Sequence, residues 1–553
     1  MRIEDQLTEA LRGAIAKAGF SAQPLSTIDI SESKQKGHGD LATNVAFPLA
    51  KLAKANPKAV AERIAGFLEP DGRRISKIEV AGNGFINFTF GPAYLQEALE
   101  EILGLGVRYG RADWGGGKKT QVEFVSANPT GPLTIGHGRQ AVIGDVIARL
   151  LDAVGHRITR EYYFNNAGRQ MRVLGDSVRL RYLDLLGQNV PFPEDYYQGE
   201  YIKDIARAAR RERGDSAGDP GELPYFQKAA EDSIFADIRK TLARMGLVFD
   251  VYYNEKSLYD TGKIETVIRD LRERGLVYDS EGAVWFRASA AGLEQDRVIV
   301  KSTGEPTYRL PDMAYHKDKL DRGFDLIVDI FGADHIATYP DVLAGLKALG
   351  YDPQKVKVLI HQFVTLTEGK ERVKMSTRKA NFVTLDELID EVGVDVTRYF
   401  FINRSMSSHL NFDLTLAKTL SDENPVYYVQ YAHARISSIL RKAREQGLDP
   451  EAPADLNLLK APEETDLIRV LISYPRVVSE AARNFEPHKI PTYLEELATV
   501  YHHFQHAGKQ DETLRVVSKN VPTAQARLAL CRAARIVLAN GLGLLGISAP
   551  ESM

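Results

Sequence analysis

The segment from 120 to 166 restricts the fold more than any other part of this sequence. A short β-rich run, TQVEFVSAN, is followed by a glycine-containing loop, PTGPLTIGHGR, and then by a helical pattern, RQAVIGDVIARLLDAVG, that ends at Gly155. A second β-rich run, RITREYYFNN, follows it. The order strand, loop, helix, strand predicts a βαβ unit, and such units build a parallel sheet covered by helices.

The loop of this unit holds one histidine between two glycines, Gly136, His137 and Gly138. At a strand-to-helix turn, the first backbone N–H groups and the helix dipole favour an anion. Glycines let a phosphate or a planar base approach the backbone, and a histidine can donate a hydrogen bond to a phosphate oxygen. The loop therefore predicts a phosphate site. A structural turn in which the histidine caps the helix remains the alternative.

Changes in pattern along the 553 residues predict three regions. Residues 1–110 alternate helical and strand patterns, with a strand–turn–strand in IEVAGNGFINFTF. Residues 111–400 carry the βαβ unit, a charged helical insertion at about 170–250, and strand patterns in AVWFRA, RVIVKS, DLIVDIFG and VKVLIHQFVTL. Residues 401–553 are almost wholly helical. We expect a small α/β domain, a Rossmann-like parallel-sheet domain with an insertion, and an all-α C-terminal domain.

The charge balance is close to neutral, with 71 Lys and Arg residues against 74 Asp and Glu residues. This excludes a globally basic binder but leaves room for a local basic face. The single cysteine, Cys531, excludes a disulfide framework and a cysteine-ligated zinc site. We find neither a run of about 18 apolar residues nor a cleavable signal segment, so we expect a cytoplasmic protein without a membrane-spanning helix.

Two further motifs give weaker signals. GLGLLG, residues 541–546, matches a dinucleotide fingerprint by letter, but it follows a helical pattern and no βαβ unit can form after it. His502 and His506 have the spacing of a metal pair on a helix, yet no clear third ligand lies nearby, so a packed or solvated helix is the preferred interpretation. We expect no metal site formed by the protein alone.

A second candidate phosphate-binding segment lies far downstream, in GKERVKMSTRKANFVTLDELIDEVG, residues 369–393. Basic residues crowd a stretch rich in small polar residues, and a cationic loop of this kind can close over a polyphosphate. Thr384 with Glu387 forms a capping-box pattern that predicts the start of a helix. A solvated run of charges is the alternative.

The two segments together resemble the "HIGH" and "KMSKS" signatures of class I aminoacyl-tRNA synthetases. The surrounding motifs are similar to the arginyl-tRNA synthetase family: EFVSANPTGPLTIGHGR, REYYFNNAGRQM, PTYRLPDMAYHKDK, FGADH, KMSTRKANFVTLDELI and NPVYYVQYAHAR. The opening HGDLATN and GNGFINF resemble the additional N-terminal domain of that family. The resemblance extends over nearly the whole chain.

The resemblance implies roles for the residues that match the family's motifs. The catalytic residues would be Thr134, His137, Lys374 and Ser376, and the ATP site would also include Gly136, Gly138, Asp334, His335 and Met375. The arginine site would comprise Glu123, Ser126, Asn128, Tyr308 and Asp312. The tRNA contacts would include Asn44, Tyr427, Tyr431, Arg435 and Met553.

Physical chemistry supports some of these roles and leaves alternatives open. A guanidinium needs planar carboxylate partners, and Glu123 and Asp312 are acids. Glu123 could be a surface strand residue, although it lies among apolar neighbours where an unpaired acid is costly. Tyr308 and Asp312 could be ordinary loop residues. The tyrosine stripe suits unstacked anticodon bases and equally suits helix–helix packing.

The sequence departs from the family pattern at two positions. Thr134 stands where the signature has its first histidine, so its hydroxyl either contacts phosphate directly or acts through a water. Thr377 stands where the second lysine is usual, and Arg378 or Lys379 would supply that charge. Some members carry a compensating lysine before the first loop, but this chain has Gly131 there.

The activity implied by the resemblance is a ligase reaction. L-Arginine reacts with ATP, accompanied by Mg²⁺, to give arginyl-adenylate and pyrophosphate, and the arginyl group passes to the terminal adenosine of tRNA(Arg). Family members typically require bound tRNA for the first step and are commonly monomeric. The N-terminal domain would contact the outer corner of the tRNA and the helical domain the anticodon loop. Two rival functions are a small-molecule nucleotidyltransferase and a catalytically impaired synthetase-like tRNA-binding protein.

Overall fold

A computed structural model describes residues 3–20, 27–33, 37–216, 218–333, 338–369, 371–372 and 383–553 of the chain. The N-terminal region begins with the predicted amphipathic helix, α1 (Ile3–Lys17). Its strands β1 (Ile30–Glu32), β2 (Leu41–Thr43), β3 (Ile75–Ala81) and β4 (Phe85–Phe90) pair antiparallel in the order β1-β2-β4-β3. Helices α2 (Ala46–Ala53), α3 (Pro57–Ala65) and α4 (Pro92–Leu105) complete it. The predicted α/β character is confirmed.

The predicted βαβ unit is present as β5 (Lys119–Glu123), α5 (Ile135–Ala153) and β6 (Arg157–Phe164). Together with β7 (Val251–Asn254), β11 (Leu326–Gly332) and β12 (Val356–His361), its strands form a five-stranded sheet in the order β12-β11-β5-β6-β7. Every pair in this sheet is parallel. The Rossmann-like parallel sheet is therefore confirmed, and all its strands end at one edge.

The charged helical stretch between β6 and β7 forms three long helices, α6 (Gly168–Leu185), α7 (Glu200–Arg213) and α8 (Leu223–Arg244). After β7 come α9 (Lys256–Asp260) and α10 (Lys263–Glu273), and then a separate antiparallel sheet of β8 (Val277–Ser280), β9 (Ala283–Phe286) and β10 (Arg297–Val300). Two of the predicted strand patterns, AVWFRA and RVIVKS, thus lie outside the main sheet. The cause is the tight turn at Glu281 and Gly282, which both have positive φ and force β8 and β9 into a hairpin.

Two helices pack beside the main sheet, and a small second sheet with three short helices leads to the C-terminal helices. Helices α11 (Arg309–Asp321) and α12 (Tyr339–Ala348) flank β11, and β13 (Val364–Glu368), β14 (Glu371–Arg372) and β15 (Leu410–Asp413) make a small sheet. Helices α13 (Leu385–Val392), α14 (Val394–Ile402) and α15 (Leu414–Ala417) surround it. Thr384 caps α13 and exchanges hydrogen bonds with Glu387, as the capping-box pattern predicts.

The C-terminal region is helical, as predicted, with α16 (Pro425–Glu445), α17 (Pro462–Asn484), α18 (Lys489–Gln510) and α19 (Val521–Leu545). Helix α19 is long and apolar enough to cross a membrane, but 61% of its most apolar window is buried inside the protein. Its apolar side chains therefore belong to the core of the helical region. The GLGLLG motif lies at the end of this helix and not in a βαβ unit.

Candidate functional site

A cavity of about 710 Å³ lies at the carboxyl edge of the parallel sheet. It brings together most of the sequence-predicted residues that the structure describes: Glu123, Ser126, Asn128, Thr134, Gly136, His137, Tyr308 and Asp312 all line it. Lys374, Met375, Ser376, Asp334 and His335 lie outside the described residues. The predicted arginine residues and the glycine–histidine loop thus share one cavity.

The turn after β5 is strained, and it aims side chains into this cavity. Val125 and Ser126 have φ values of 68° and 44°, a left-handed conformation that is rare for residues other than glycine. Bonds to β6 and the residues after it hold the turn. The Tyr162 hydroxyl donates to the Ala127 carbonyl at 2.8 Å, and the Asn165 N–H donates to Asn128 Oδ1 at 3.0 Å. Such strain typically persists where function requires it.

His137 is fixed by the residue that departs from the family signature. The Thr134 N–H donates to Nδ1 of His137 at 3.2 Å, and the Thr134 hydroxyl lies 3.2 Å from the same nitrogen. Burial, and to a smaller degree His361, lowers the pKa of His137 to about 4, so the ring is neutral at pH 7. Because Nδ1 accepts, the proton lies on Nε2 and is available to a ligand in the cavity. The capping alternative also holds in part, since the ring closes the first turn of α5.

The two glycines of the loop differ in what they face. A Cβ on Gly136 would meet only the Thr134 hydroxyl, at 3.7 Å, and Gly136 lines the cavity as predicted. A Cβ on Gly138 would lie 2.6 Å from Leu385 and 2.8 Å from Phe401. Gly138 does not line the cavity, and its missing side chain instead allows α13 and α14 to pack against α5. The close approach predicted for a ligand is here an approach of protein side chains.

The segment that follows the second phosphate-binding motif is tied directly to the first loop. The Leu385 N–H donates to the Leu133 carbonyl at 2.8 Å, and Thr134 and Thr384 form an isolated antiparallel bridge. Residues 383–385, which come directly after the Lys-Met-Ser segment, therefore lie beside the glycine–histidine loop. The start of α13 and the glycine–histidine loop, remote in sequence, therefore belong to one region of the fold.

Arg139, near the start of α5, connects this helix to two other segments through hydrogen bonds. It is fully buried, and its guanidinium donates to four carbonyls: Gln362, Phe363, Ser405 and Ser408. The four distances lie between 2.7 and 3.5 Å. Burial lowers the pKa of Arg139 to about 10, and no acid among the described residues opposes that shift. Arg139 thus joins the start of α5 to the β12–β13 connection and to the turn before β15.

The Glu123 carboxylate is paired within the protein. Its Oε2 lies 2.5 Å from the Nζ of Lys319, and its Oε1 accepts from the Ser126 hydroxyl at 2.9 Å. Lys319 also contacts Asp329 at 2.6 Å, and His316 Nε2 lies 2.9 Å from the other oxygen of Asp329. Although burial opposes it, Lys319 and His316 hold the pKa of Asp329 well below its usual range. Glu123 is therefore not an unpaired strand residue.

Asp312, in contrast, has no cationic partner among the described residues. It lies in the first turn of α11, and no hydrogen bond or ion pair to its carboxylate occurs there. Burial raises the pKa of Asp312 to about 7, with Glu255 and Glu123 adding to the rise and His316 and Lys319 opposing it. Tyr308 precedes it at the cavity rim and is 87% exposed. The Asp312 carboxylate is therefore available to a cationic ligand, and the exposed Tyr308 ring lies close to it in the chain.

The cavity holds a third acid, Glu255, which the sequence patterns did not reveal. It follows β7, lines the cavity, and accepts a hydrogen bond from the Tyr163 hydroxyl at 2.8 Å. Burial raises the pKa of Glu255, and the Asn165 side chain, which lies beside Asn128, opposes that rise. The only sequence signal was its position directly after a strand, and the strand VYYN is too short to be recognised by pattern.

The other end of the cavity is more apolar. Phe331 and Gly332 from β11, His361 from β12 and Phe363 from the β12–β13 connection line it. Phe363 is 61% exposed, so its ring is open to a planar ligand. The FGADH motif begins here with Phe331 and Gly332, and its last two residues are outside the described range.

Predicted tRNA contacts lie on two separate surfaces. Tyr427 and Tyr431 of α16 stack with ring centres 6.3 Å apart and planes 7° from parallel, and Arg435 donates to the Tyr431 hydroxyl at 3.0 Å. The C-terminal tail runs along the same helix, since His433 lies 2.8 Å from the Pro550 carbonyl, and Met553 is exposed. This places an aromatic and cationic stripe on the surface.

Asn44 lies in the N-terminal region, far along the chain from that stripe. It is exposed, and it lies two residues before α2, which carries Phe47. The Phe47 ring packs edge-on against the partly exposed Phe85 at 5.1 Å. An amide beside open aromatic rings is a suitable surface for an unstacked base.

Comparison with protein families gives three matches that follow one another along the chain. Residues 5–90 match the arginyl tRNA synthetase N terminal domain, residues 98–407 the catalytic domain of class I (R) tRNA synthetases, and residues 429–553 the DALR anticodon binding domain.

Individual relatives extend over the full chain. An arginine–tRNA ligase of Desulfotalea psychrophila is 49% identical, covering 100% of this chain and 99% of that protein. One of Salinibacter ruber is 49% identical, covering 95% and 96%. Among solved structures, a putative arginyl tRNA synthetase of Campylobacter jejuni is 32% identical with a TM-score of 0.77, covering 84% of this chain and 100% of that one. A Thermus thermophilus arginyl-tRNA synthetase shares the fold, with a TM-score of 0.79 over 100% of both chains at 22% identity.

Proposed function

The chain belongs to the arginyl-tRNA synthetases of class I, and we propose that it activates L-arginine with ATP and transfers the arginyl group to tRNA(Arg). The arginine carboxylate attacks the α-phosphorus of ATP, and pyrophosphate leaves. A hydroxyl of the terminal adenosine then attacks the arginyl carbonyl, and AMP leaves. The observation that supports this most directly is the shared cavity, in which Asp312 and His137 face one ligand space.

Arginine recognition follows from the acids of the cavity. The unpaired Asp312 carboxylate suits a bidentate contact with the guanidinium, and Glu123, held by Lys319 and Ser126, forms a second polar wall. Tyr308 is positioned to cover the guanidinium plane once the ligand is present. We assign the α-ammonium group to Glu255 and Asn128, which both line the cavity.

ATP would bind across the first turn of α5, where unpaired backbone N–H groups and the helix dipole favour phosphate. His137 donates from Nε2 to a phosphate oxygen as charge develops there. Because the ring is neutral with its proton on Nε2, it can donate this hydrogen bond without any change of protonation. Phe363 and Gly332 would contact the adenosine. The assignments of Gly138, Asp334, His335 and Met375 to the ATP site, and of Lys374 and Ser376 to catalysis, stay predictions.

Mg²⁺ is expected to accompany ATP. In the described parts of the chain, no group of three or more histidine, cysteine or acidic side chains is arranged to hold a metal ion. Phosphate oxygens and water would therefore supply most of its ligands, which is common for Mg²⁺. When bound, the ion would neutralise charge on the phosphates.

We assign tRNA binding to the two surfaces described above, with Tyr427, Tyr431 and Arg435 against the anticodon loop and Asn44 against the outer corner. The division into 1–110, 111–400 and 401–553, with the insertion at about 170–250, remains our working domain assignment. A monomeric state and a cytoplasmic location stay predictions.

Pyrophosphate exchange tests the proposal. Exchange that requires L-arginine and tRNA(Arg) supports it. Exchange with a small carboxylic acid and without tRNA indicates the nucleotidyltransferase, and tRNA binding without any exchange indicates the impaired binding protein. The relatives, which are named arginine–tRNA ligases, do not favour the last alternative.

A further inference from the structure

The strained turn after β5 carries a wall of the cavity. Ser126, Ala127 and Asn128 line the cavity, and Val125 and Ser126 have positive φ values of 68° and 44°. Valine is β-branched, so this backbone conformation is especially unfavourable for Val125. The turn keeps its shape because contacts from outside the turn hold it.

Several of these contacts come from the main chain of β6 and the residue after it. The parallel pairing of β5 with β6 ends before the turn. Beyond it, the Tyr163 N–H donates to the Ser126 hydroxyl at 3.2 Å, and the Asn165 N–H donates to Asn128 Oδ1 at 3.0 Å. These bonds fix two side chains of the turn but not the peptide group between them.

Tyr162 of β6 holds that peptide group with its side chain. Its hydroxyl donates to the Ala127 carbonyl at 2.8 Å, and in the described part of the chain no other donor bonds to that carbonyl. The ring is fully buried, packs edge-on against Phe249 at 5.4 Å and lies 5.3 Å from the Tyr252 ring. Because the ring is held on several sides, its hydroxyl is a fixed point for the carbonyl.

A fixed Ala127 carbonyl also fixes the direction in which Asn128 leaves the turn. The peptide bond between the two residues is planar, so rotating the carbonyl would rotate the N–H of Asn128 with it. The Asn128 side chain is oriented by two bonds, since Oδ1 accepts from Asn165 and Nδ2 donates to Gln170 at 3.3 Å. The second lone pair of Oδ1 remains for a ligand ammonium group.

We propose that Tyr162 is a positioning residue, whose hydroxyl holds the Ala127 carbonyl so that Asn128 meets the α-ammonium group of the amino acid. Tyr162 does not line the cavity, so it acts through the turn and not by contact with the substrate. The proposal rests on the arginine site assigned above. It gives the buried end of β6 a part in substrate binding in addition to its part in the sheet.

The test removes one oxygen atom, in Tyr162→Phe, and compares two ligands. L-Arginine is measured beside 5-guanidinopentanoic acid, which is arginine without its α-ammonium group, by competition with labelled arginine in equilibrium dialysis. Arginine should bind about tenfold more weakly to the variant, the order of one hydrogen bond to a charged group, whereas the analogue should change less than about twofold. Equal weakening of both ligands would show that Tyr162 only stabilises the fold, and the proposal would be overturned.

Tyr493→Phe is the matched control. Tyr493 is also buried, its hydroxyl donates to the Val470 carbonyl at 3.0 Å, and it does not line the cavity. The control should leave the affinity of both ligands unchanged. The same loss of arginine affinity in the control as in Tyr162→Phe would overturn the proposal, because the loss would then follow from removing any buried tyrosine hydroxyl.

A double-mutant cycle with Asn128→Ala tests the path of the effect. If Tyr162 acts through Asn128, then adding Tyr162→Phe to Asn128→Ala should weaken arginine binding no further. Additive losses, or an unchanged arginine affinity in folded Tyr162→Phe, would overturn the proposal, the second because water would then replace the hydroxyl. If the unmodified protein shows neither arginine binding nor arginine-dependent exchange, the proposed function itself has failed, and this is seen before any variant is made.

Discussion

The raised pKa of Asp312 predicts that arginine binding depends on pH. The carboxylate must be ionised to hold a guanidinium, and burial places its pKa at about 7 in the empty pocket. A raised pKa means that the acid is largely protonated below pH 7 and largely ionised above it. Arginine binding is therefore linked to proton release, and affinity rises as pH rises through this range.

The magnitude follows from the ionised fraction. With a pKa of about 7, Asp312 is about 9% ionised at pH 6 and about 91% ionised at pH 8. The apparent dissociation constant of arginine should thus fall about tenfold between these values, equivalent to about 1.4 kcal/mol. His316, Glu255 and Lys319 face the same carboxylate or its neighbours and can move the midpoint without reversing the sign.

Equilibrium dialysis with labelled L-arginine, in buffers of constant ionic strength, measures this dependence directly. Asp312→Asn should raise the dissociation constant sharply and remove the pH dependence between pH 6 and 8, while tRNA binding stays nearly intact. A wild-type affinity that is flat over this range, or that falls with rising pH, would refute the reasoning. Equal weakening of arginine and tRNA binding in Asp312→Asn would show that the residue is structural.

Three further predictions concern other parts of the molecule. Thr134→Val removes the N-cap hydroxyl of α5 but keeps the backbone N–H that holds His137. The free energy of unfolding, measured by thermal unfolding, should fall by about 1 kcal/mol, and the rate of pyrophosphate exchange should fall less than about tenfold. A larger loss of exchange would assign the hydroxyl a direct role. Arg139→Met leaves four carbonyls without a donor and should destabilise the protein by about 3–5 kcal/mol in denaturant titration, whereas a loss below about 1 kcal/mol would mean that water replaces the guanidinium. Tyr431→Ala removes one of two stacked rings and should weaken tRNA(Arg) binding by about 1–3 kcal/mol without changing arginine affinity, and equal tRNA affinity in a filter-binding assay would contradict the stacking role.

The sequence predicts the elements of this protein better than the pairings inside its core. The βαβ unit follows from pattern alone, because glycines and a periodic apolar helix are local signals. Arg139 and Lys319 could not be found in this way. In a sequence, a charged residue on a helix indicates a solvated surface, and only the fold shows that both are buried among distant acceptors.

The site shows the same limit. Asp312 was predicted from its motif, but the absence of a cation beside it in the described structure and the pairing of Glu123 depend on residues almost 200 positions apart. Glu255 had no motif to mark it. Gly138 was predicted as a point where a ligand approaches the backbone, and only the packing of α13 and α14 shows that protein side chains approach it.

The contacts of Arg139 also constrain which genetic changes this protein tolerates. All four of its acceptors are main-chain oxygens, so the side chains at 362, 363, 405 and 408 contribute nothing to that interaction. Point substitutions at those positions should leave the hydrogen bonds of the Arg139 guanidinium unchanged. A one-residue insertion or deletion in the β12–β13 connection or in the turn before β15 would shift the oxygens out of reach. The lengths of these two segments therefore matter more than their amino-acid sequences.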